Sequence, residues 1–321
     1  MHQGTTVGKR IATAGEELAL AVERTERLVA SLPLRGIKGP VGTQQDQAEL
    51  LGSPDAAVEL DRRVAERLGF GSTMNSVGQV YPRSLDLDVV SALVQLASGP
   101  VSFTTTLRLM VGHDLATEGF RADQVGSSAM PHKMNARTSE RIHGLKVILT
   151  GHLAMATGLA GEQWNEGDVS CSVVRRVMLP DAFFAADGLF QAFLTVLDEV
   201  GFFPQVIEAE LAAHLPFLAT TRLLVEAVRR GMGREEAHEL IRRHAVAAAA
   251  RRREGGEPDL QARLAADEAF PLDRAEIEQV LSQPLRFTGR AADQVAAFVE
   301  RVEGIAGRHL PAIEYRPQPI L

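Results

Sequence analysis

Cysteine is nearly absent from this 321-residue chain: Cys171 stands alone, so no disulfide can form within it. A reducing compartment suits such a chain, and a cytoplasmic location is the expectation. No uninterrupted apolar run approaches the roughly 20 residues a membrane span needs, and Met1-His2-Gln3-Gly4 does not open a secretory signal. Basic charge is also in short supply, 34 Lys and Arg against 41 Asp and Glu, for a net charge of −7. Nucleic-acid binders usually carry the opposite balance, so neither nucleic acid nor a membrane is an expected partner. Internal repeats and low-complexity tracts are missing as well. With 45% hydrophobic and 23% charged residues, the chain is too apolar to stay disordered.

What is present is helical periodicity. Val7, Ile11, Ala14, Leu18, Val22 and Leu28 step along one stripe of a helix ending near Pro33. Ser53-Pro54-Asp55 reads as an N-cap with a first-turn proline and acid, and Gly69 stands where that helix should stop. A long pattern from Ser84 to about Leu115 is interrupted by Gly99-Pro100, which predicts a kink. Helices are further expected over 138–159 and 172–200. The fold class is therefore all-α: a long-helix bundle over 1–202 followed by a smaller helical C-terminal domain over 203–321.

Several tempting motifs fail on spacing. His238 and His244 are six positions apart, whereas a zinc-binding helix needs four, and solvated helix residues are the better reading. Gly231-Met232-Gly233 lacks the third glycine and preceding strand of a dinucleotide loop, and reads as a turn between helices. Arg251-Arg252-Arg253 suits a solvated helix end. Cys171 alone nominates no metal site, and no His or Asp spacing makes it a nucleophile.

One segment differs in kind: Gly126-Ser127-Ser128-Ala129-Met130-Pro131-His132-Lys133-Met134-Asn135. A glycine hinge, two hydroxyls, a stiffening proline and a cation precede a helix whose free N–H groups favour anions. Arg137 and Arg141, four apart, can share a face of that helix. Such a loop suits a polyanionic substrate and a closing lid. From composition alone an ordinary Ser-rich loop is the stronger reading, and the order of the residues reverses that.

Gly-Ser-Ser-x-Met-Pro-x-Lys-x-Asn is the signature of the fumarase/aspartase superfamily, and residues 126–135 match each fixed position. Leu34-Arg35-Gly36-Ile37-Lys38-Gly39-Pro40-Val41-Gly42-Thr43-Gln44, Gln163-Trp164-Asn165-Glu166 through Arg176, and Phe287-Thr288-Gly289-Arg290-Ala291 resemble its adenylosuccinate lyase branch. The resemblance implies a lyase that eliminates fumarate from adenylosuccinate, leaving AMP, and from the succinyl-carboxamide ribotide of purine synthesis. It implies a homotetramer with active sites shared between subunits, a nucleotide substrate, and no metal or organic cofactor. By motif position Ser127 is the base, and Lys133 and Asn135 hold the carboxylate as charge builds. Ser128 and Gln44 bind substrate, while Arg141, Ser172 and Arg176 bind the nucleotide phosphate and neighbouring groups.

Two departures stand out. Ala136 replaces the proline that follows the motif's asparagine, and Gly167 stands where some relatives carry a binding arginine. Gln3, Thr5, Thr6, Gly8, Lys9 and Arg10 resemble the tail of a segment whose histidine, the family's general acid, would fall before Met1. The expectation is thus a chain lacking the family's N-terminal domain. His2, His132 and His143 are not assigned the acid's role. Argininosuccinate lyase, a carboxymuconate cycloisomerase, and a catalytically incomplete fragment or pseudoenzyme stay open as alternatives.

Overall fold

The computed structural model describes residues 4–119, 135–257 and 259–317. Ser127, Ser128, His132 and Lys133 lie outside the described residues, as does His2. Among the described residues the regular secondary structure is helical apart from two strands of two residues and one isolated bridge, so the all-α expectation holds. Contacts divide the chain into two units. One gathers Thr13–Gly201 with the described residues from Val302 onward; the other gathers those up to Ala12 with Phe202–Arg301.

The larger unit is built from most of α1 (Val7–Ser31), with α2 (Gln45–Leu51), α3 (Pro54–Leu68), α4 (Ser84–Leu96), α5 (Ser98–Gly112), α6 (Arg137–Leu159) and α7 (Val169–Glu199). Local signals set both ends of α3. The Ser53 side chain accepts the Ala56 N–H at 3.2 Å, and Gly69 closes α3 in the left-handed region, at φ +80°. The predicted break near Gly99-Pro100 falls at Ala97, between α4 and α5. Gly99 has a packing reason too: a Cβ there would lie 2.6 Å from Leu18 Cβ of α1.

With few aromatics available, the bundle closes on aliphatic side chains. Val90, Leu107, Ile142, Leu149, Met178 and Leu189 are buried, and alanines line much of α7. Phe103 and Phe193 meet edge to face, ring centroids 5.6 Å apart.

α6 and α7 form a hairpin joined by a short loop, and Leu145 packs beside Gly188. Contrary to the expectation from uninterrupted runs, 84–112 and 169–199 are apolar and long enough on average to cross a membrane. Asp86, Arg108, Arg175, Arg176 and Asp181 are spaced so that no run is unbroken, although the average stays apolar.

The second unit holds α8 (Pro204–Leu218), α9 (Thr220–Arg229), α10 (Arg234–Arg253), α11 (Leu260–Ala265), α12 (Arg274–Leu281) and most of α13 (Ala291–Ala306). A last turn, α14 (Leu310–Ile313), belongs to the first unit. The second unit's core is Leu215, Leu223, Ile241, Leu260, Leu264 and Ile277 with their neighbours. The segment Gly231–Gly233 is the predicted turn between α9 and α10. His244 is a correction. It is partly buried and lies 2.6 Å from Asp267 Oδ2, a partner 23 residues away that helix spacing could not reveal.

Candidate active site

Three loops stack at the end of the bundle where α7 begins. Residues 34–44 are fixed to residues 77–80 by Arg35, whose Nη2 donates to the Gly78 carbonyl at 2.6 Å and the Gly39 carbonyl at 3.0 Å. Residues 77–80 in turn rest on 163–167, where the Val80 N–H donates to the Asn165 carbonyl at 3.3 Å. Backbones approach so closely here that side chains are excluded. A Cβ on Gly42 would sit 1.8 Å from the Val77 carbonyl oxygen, and one on Gly78 would sit 2.1 Å from that of Asn165. Gly167, at φ +147°, would place a Cβ 2.6 Å from Gln79 Oε1, which gives a local reason for glycine there.

Gln44 sits in this stack at φ +57°. Its Nε2 donates to Asp61 Oδ2 at 3.1 Å and to the Ile37 carbonyl at 3.2 Å. Asp61 also accepts the Ile37 N–H at 2.7 Å and forms an ion pair with Lys38 at 2.5 Å. The amide hydrogens of Gln44 are thereby committed to the protein, which leaves Oε1 as the atom free to accept from a ligand.

A second network anchors the start of α7. Asp168 accepts the Ser170 hydroxyl and the Trp164 and Ser170 backbone N–H groups, the last two at 3.1 and 2.9 Å, and these bonds, the hydroxyl's first, hold its carboxyl below the usual range. Arg175 Nε donates to Asp86 Oδ2 at 2.7 Å, and Tyr81 Oη donates to Asp86 Oδ1 at 2.7 Å. Burial, reinforced by Asp86, pushes the Tyr81 phenol up. The Arg83 guanidinium lies 4.4 Å from the Tyr81 ring centre. It is buried, and its Nε and Nη1 have no hydrogen-bond acceptor among the described residues. Ser172 and Arg176 are one turn apart on α7 beside the engaged Arg175; Ser172 is half-buried and Arg176 exposed.

Asn135 and Arg141 lie elsewhere. The 23 residues of α6 extend about 35 Å, and these two residues sit at its far end. Glu118 caps that end, accepting the Thr138 and Ser139 N–H groups at 2.8 and 2.9 Å. Gly119 touches the close of α7, where a Cβ would lie 2.4 Å from Glu199 Cβ. Arg141 is exposed and Asn135 half-buried. His143 Nε2 lies 3.1 Å from Thr104 Oγ1, and burial, with Arg108 nearby, lowers its pKa.

One chain therefore brings Gln44, Ser172 and Arg176 to one end of the hairpin and Asn135 and Arg141 to the other. Asp61, Tyr81, Arg83 and Asp86 escaped the sequence reading. A signal existed for one of them: Ala57, Asp61 and Ala65 are the buried positions of α3, so a lone acid occupies the apolar stripe.

The family described as "Adenylosuccinate lyase C-terminus" matches residues 216–298. Adenylosuccinate lyase of Saccharomyces cerevisiae is 37% identical over 93% of this chain and 62% of its own length. The Schistosoma mansoni adenylosuccinate lyase is 34% identical over 92% and 62%. The chain thus spans about three-fifths of the length of these curated relatives.

Among solved structures, 3-carboxy-cis,cis-muconate lactonizing enzyme from Pseudomonas putida superposes with a TM-score of 0.78 at 20% identity, covering 93% of this chain and 66% of that one. A fumarate lyase from Mesorhizobium sp. BNC1 gives 0.73 at 15% identity, with the same coverage. Both show the shared fold.

Proposed function

We propose that the chain is an adenylosuccinate lyase, eliminating fumarate from adenylosuccinate, giving AMP, and from the succinyl-carboxamide ribotide of purine synthesis. The observation that carries this reading is the 37% identity to the yeast enzyme over 93% of the chain. The 126–135 signature in the sequence supports it. In the reaction a base takes the proton from the succinyl β-carbon, the C–N bond breaks, and the leaving nitrogen gains a proton as fumarate departs. Ser127 takes the proton. Lys133 and Asn135 hold the carboxylate into which the charge spreads, where each well-aimed donor is worth about 3–4 kcal/mol. Gln44 orients substrate through Oε1, with Ser128 lining the same site. Arg141, Ser172 and Arg176 bind the phosphate and its neighbours, the arginines as planar forks.

The two-ended distribution supports a homotetramer with shared sites. A second copy running antiparallel would bring its Asn135 end beside the Gln44 end of the first. The exposed surface of the hairpin suits that contact: Val169, Val173, Val177 and Phe184 form an apolar stripe on α7. A cytoplasmic location completes the proposal.

The test is incubation of the full chain with adenylosuccinate, argininosuccinate and carboxymuconate, following fumarate or lactone by absorbance. Turnover of adenylosuccinate alone is expected. Turnover of another substrate in its place would overturn the assignment, and inactivity toward all three would favour a catalytically incomplete fragment or pseudoenzyme.

A further inference from the structure

The Phe287–Ala291 motif has no task in the elimination just described, yet it walls a cavity of about 670 Å³ in the second unit. Leu218, Thr221, Arg222, Val225 and Arg229 form one face of the cavity, at the helical spacing of α9 and the end of α8; the 286–290 turn forms another. This volume is that of a typical small-molecule pocket. Its charge is unlike that of the chain as a whole. Four arginines line it (Arg222, Arg229, Arg286 and Arg290) against one acid, Glu226, in a protein of net charge −7.

Two of these cations are already neutralised. Arg229 donates to Glu226 at 2.9 Å, and Arg290 approaches Asp293 at 3.6 Å. Arg222 and Arg286 have no acidic partner among the described residues. Arg222 lies 6.0 Å from the Phe287 ring centre, and its Nε is enclosed with no acceptor among those residues. An enclosed charged donor without an acceptor is costly to leave unpaired, and a bound anion relieves that cost.

We propose that this cavity is a second ligand site, separate from the elimination chemistry, for a small phosphate monoester. Arg222 and Arg286 grip the dianionic phosphate, a task suited to their planar donor sets. Leu218, Val225 and the Phe287 ring receive the organic body of the same molecule. The combination of two free guanidinium groups with an apolar and aromatic wall selects an amphipathic anion over a bare one.

The test is a titration of the full chain with AMP, ribose 5-phosphate, inorganic phosphate and adenosine, observed by NMR at the backbone amides of Thr288 and Gly289. These amides report on the cavity whether or not the chain turns over adenylosuccinate, so failure here is distinguishable from failure of the lyase reading. Saturable shifts with AMP and ribose 5-phosphate at a Kd below about 1 mM are expected, with inorganic phosphate weaker and adenosine inert. Arg286→Gln, at an exposed position, should weaken AMP binding at least about tenfold. Arg222→Gln should do the same, with Arg222→Lys as the milder variant that keeps the charge. Absence of saturable shifts with the phosphate esters, adenosine binding as tightly as AMP, or unchanged affinity in Arg286→Gln would each overturn the proposal.

Discussion

Asp61 and Lys38 form a buried ion pair, Oδ2 to Nζ 2.5 Å, with side chains only 3% and 7% exposed. The same carboxylate oxygen takes Gln44 Nε2, and its neighbour takes the Ile37 N–H. One acid on α3 thus sets the path of the whole 34–44 loop. Its near contact with Gly36, where a Cβ would fall 2.8 Å from Oδ2, leaves no room for another residue.

Asp61→Asn is expected to cost about 3–5 kcal/mol, because it strands the Lys38 ammonium without its counter-charge. Urea unfolding measures this. KM for adenylosuccinate should rise as Gln44 loses its anchor, and a wild-type KM would detach Gln44 from substrate binding.

Ser127→Ala should abolish fumarate release while leaving nucleotide binding largely intact, as judged by turnover beside AMP titration. Lys133→Ala should remove about 2.7–4 kcal/mol of transition-state stabilisation. Unchanged kcat/KM in the second variant would remove Lys133 from the mechanism.

How much of this was legible in the sequence depends on the range of the interaction. The α3 cap at Ser53, the stop at Gly69 and the break before Gly99 are set by residues within a turn of each other, and each was readable. Asp61–Lys38 and Arg175–Asp86 join residues 23 and 89 positions apart, so no local pattern announces them. His244 was misread for that reason: its partner Asp267 reaches it only through the packing of the second unit. The separation of Asn135 and Arg141 from Ser172 follows from helix length, a quantity the periodicity did contain.

Gly42→Ala should destabilise by about 2 kcal/mol or more, since φ is +86° and the added methyl collides with the Val77 carbonyl. Thermal unfolding reads the loss. An unchanged Tm would mean that the 34–44 and 77–80 loops part without penalty.

His143 titrates below its ordinary pKa of 6.5, chiefly through burial, and His214 is lowered for the same first reason. A folded-state pKa below the unfolded one means that the unfolded chain binds more protons in the interval between them. Their contribution is whole above about pH 6.5 and declines as pH falls through the folded values. Stability curves from pH 7.5 downward should therefore flatten in His143→Gln/His214→Gln, and an identical slope would exclude these two groups.

Val173→Asp places a charge in the exposed apolar stripe of α7. The variant should keep its helicity by circular dichroism yet sediment as a smaller particle and lose turnover. An unchanged sedimentation coefficient would show that this stripe is not where copies meet.

Trp164 is the only tryptophan in the chain. The residue is 65% exposed, and its backbone N–H is tied to Asp168 at the start of α7. The fluorescence of the protein at red-edge excitation is thus a single-site signal, arising a few residues from Ser172 and on the loop that carries the 77–80 segment. Substrate arriving at that end, as proposed, is expected to change the polarity around one indole, and no second emitter of its kind dilutes the response. An emission change on adding adenylosuccinate would make this indole an intrinsic gauge of occupancy, readable in a stopped-flow instrument without any label.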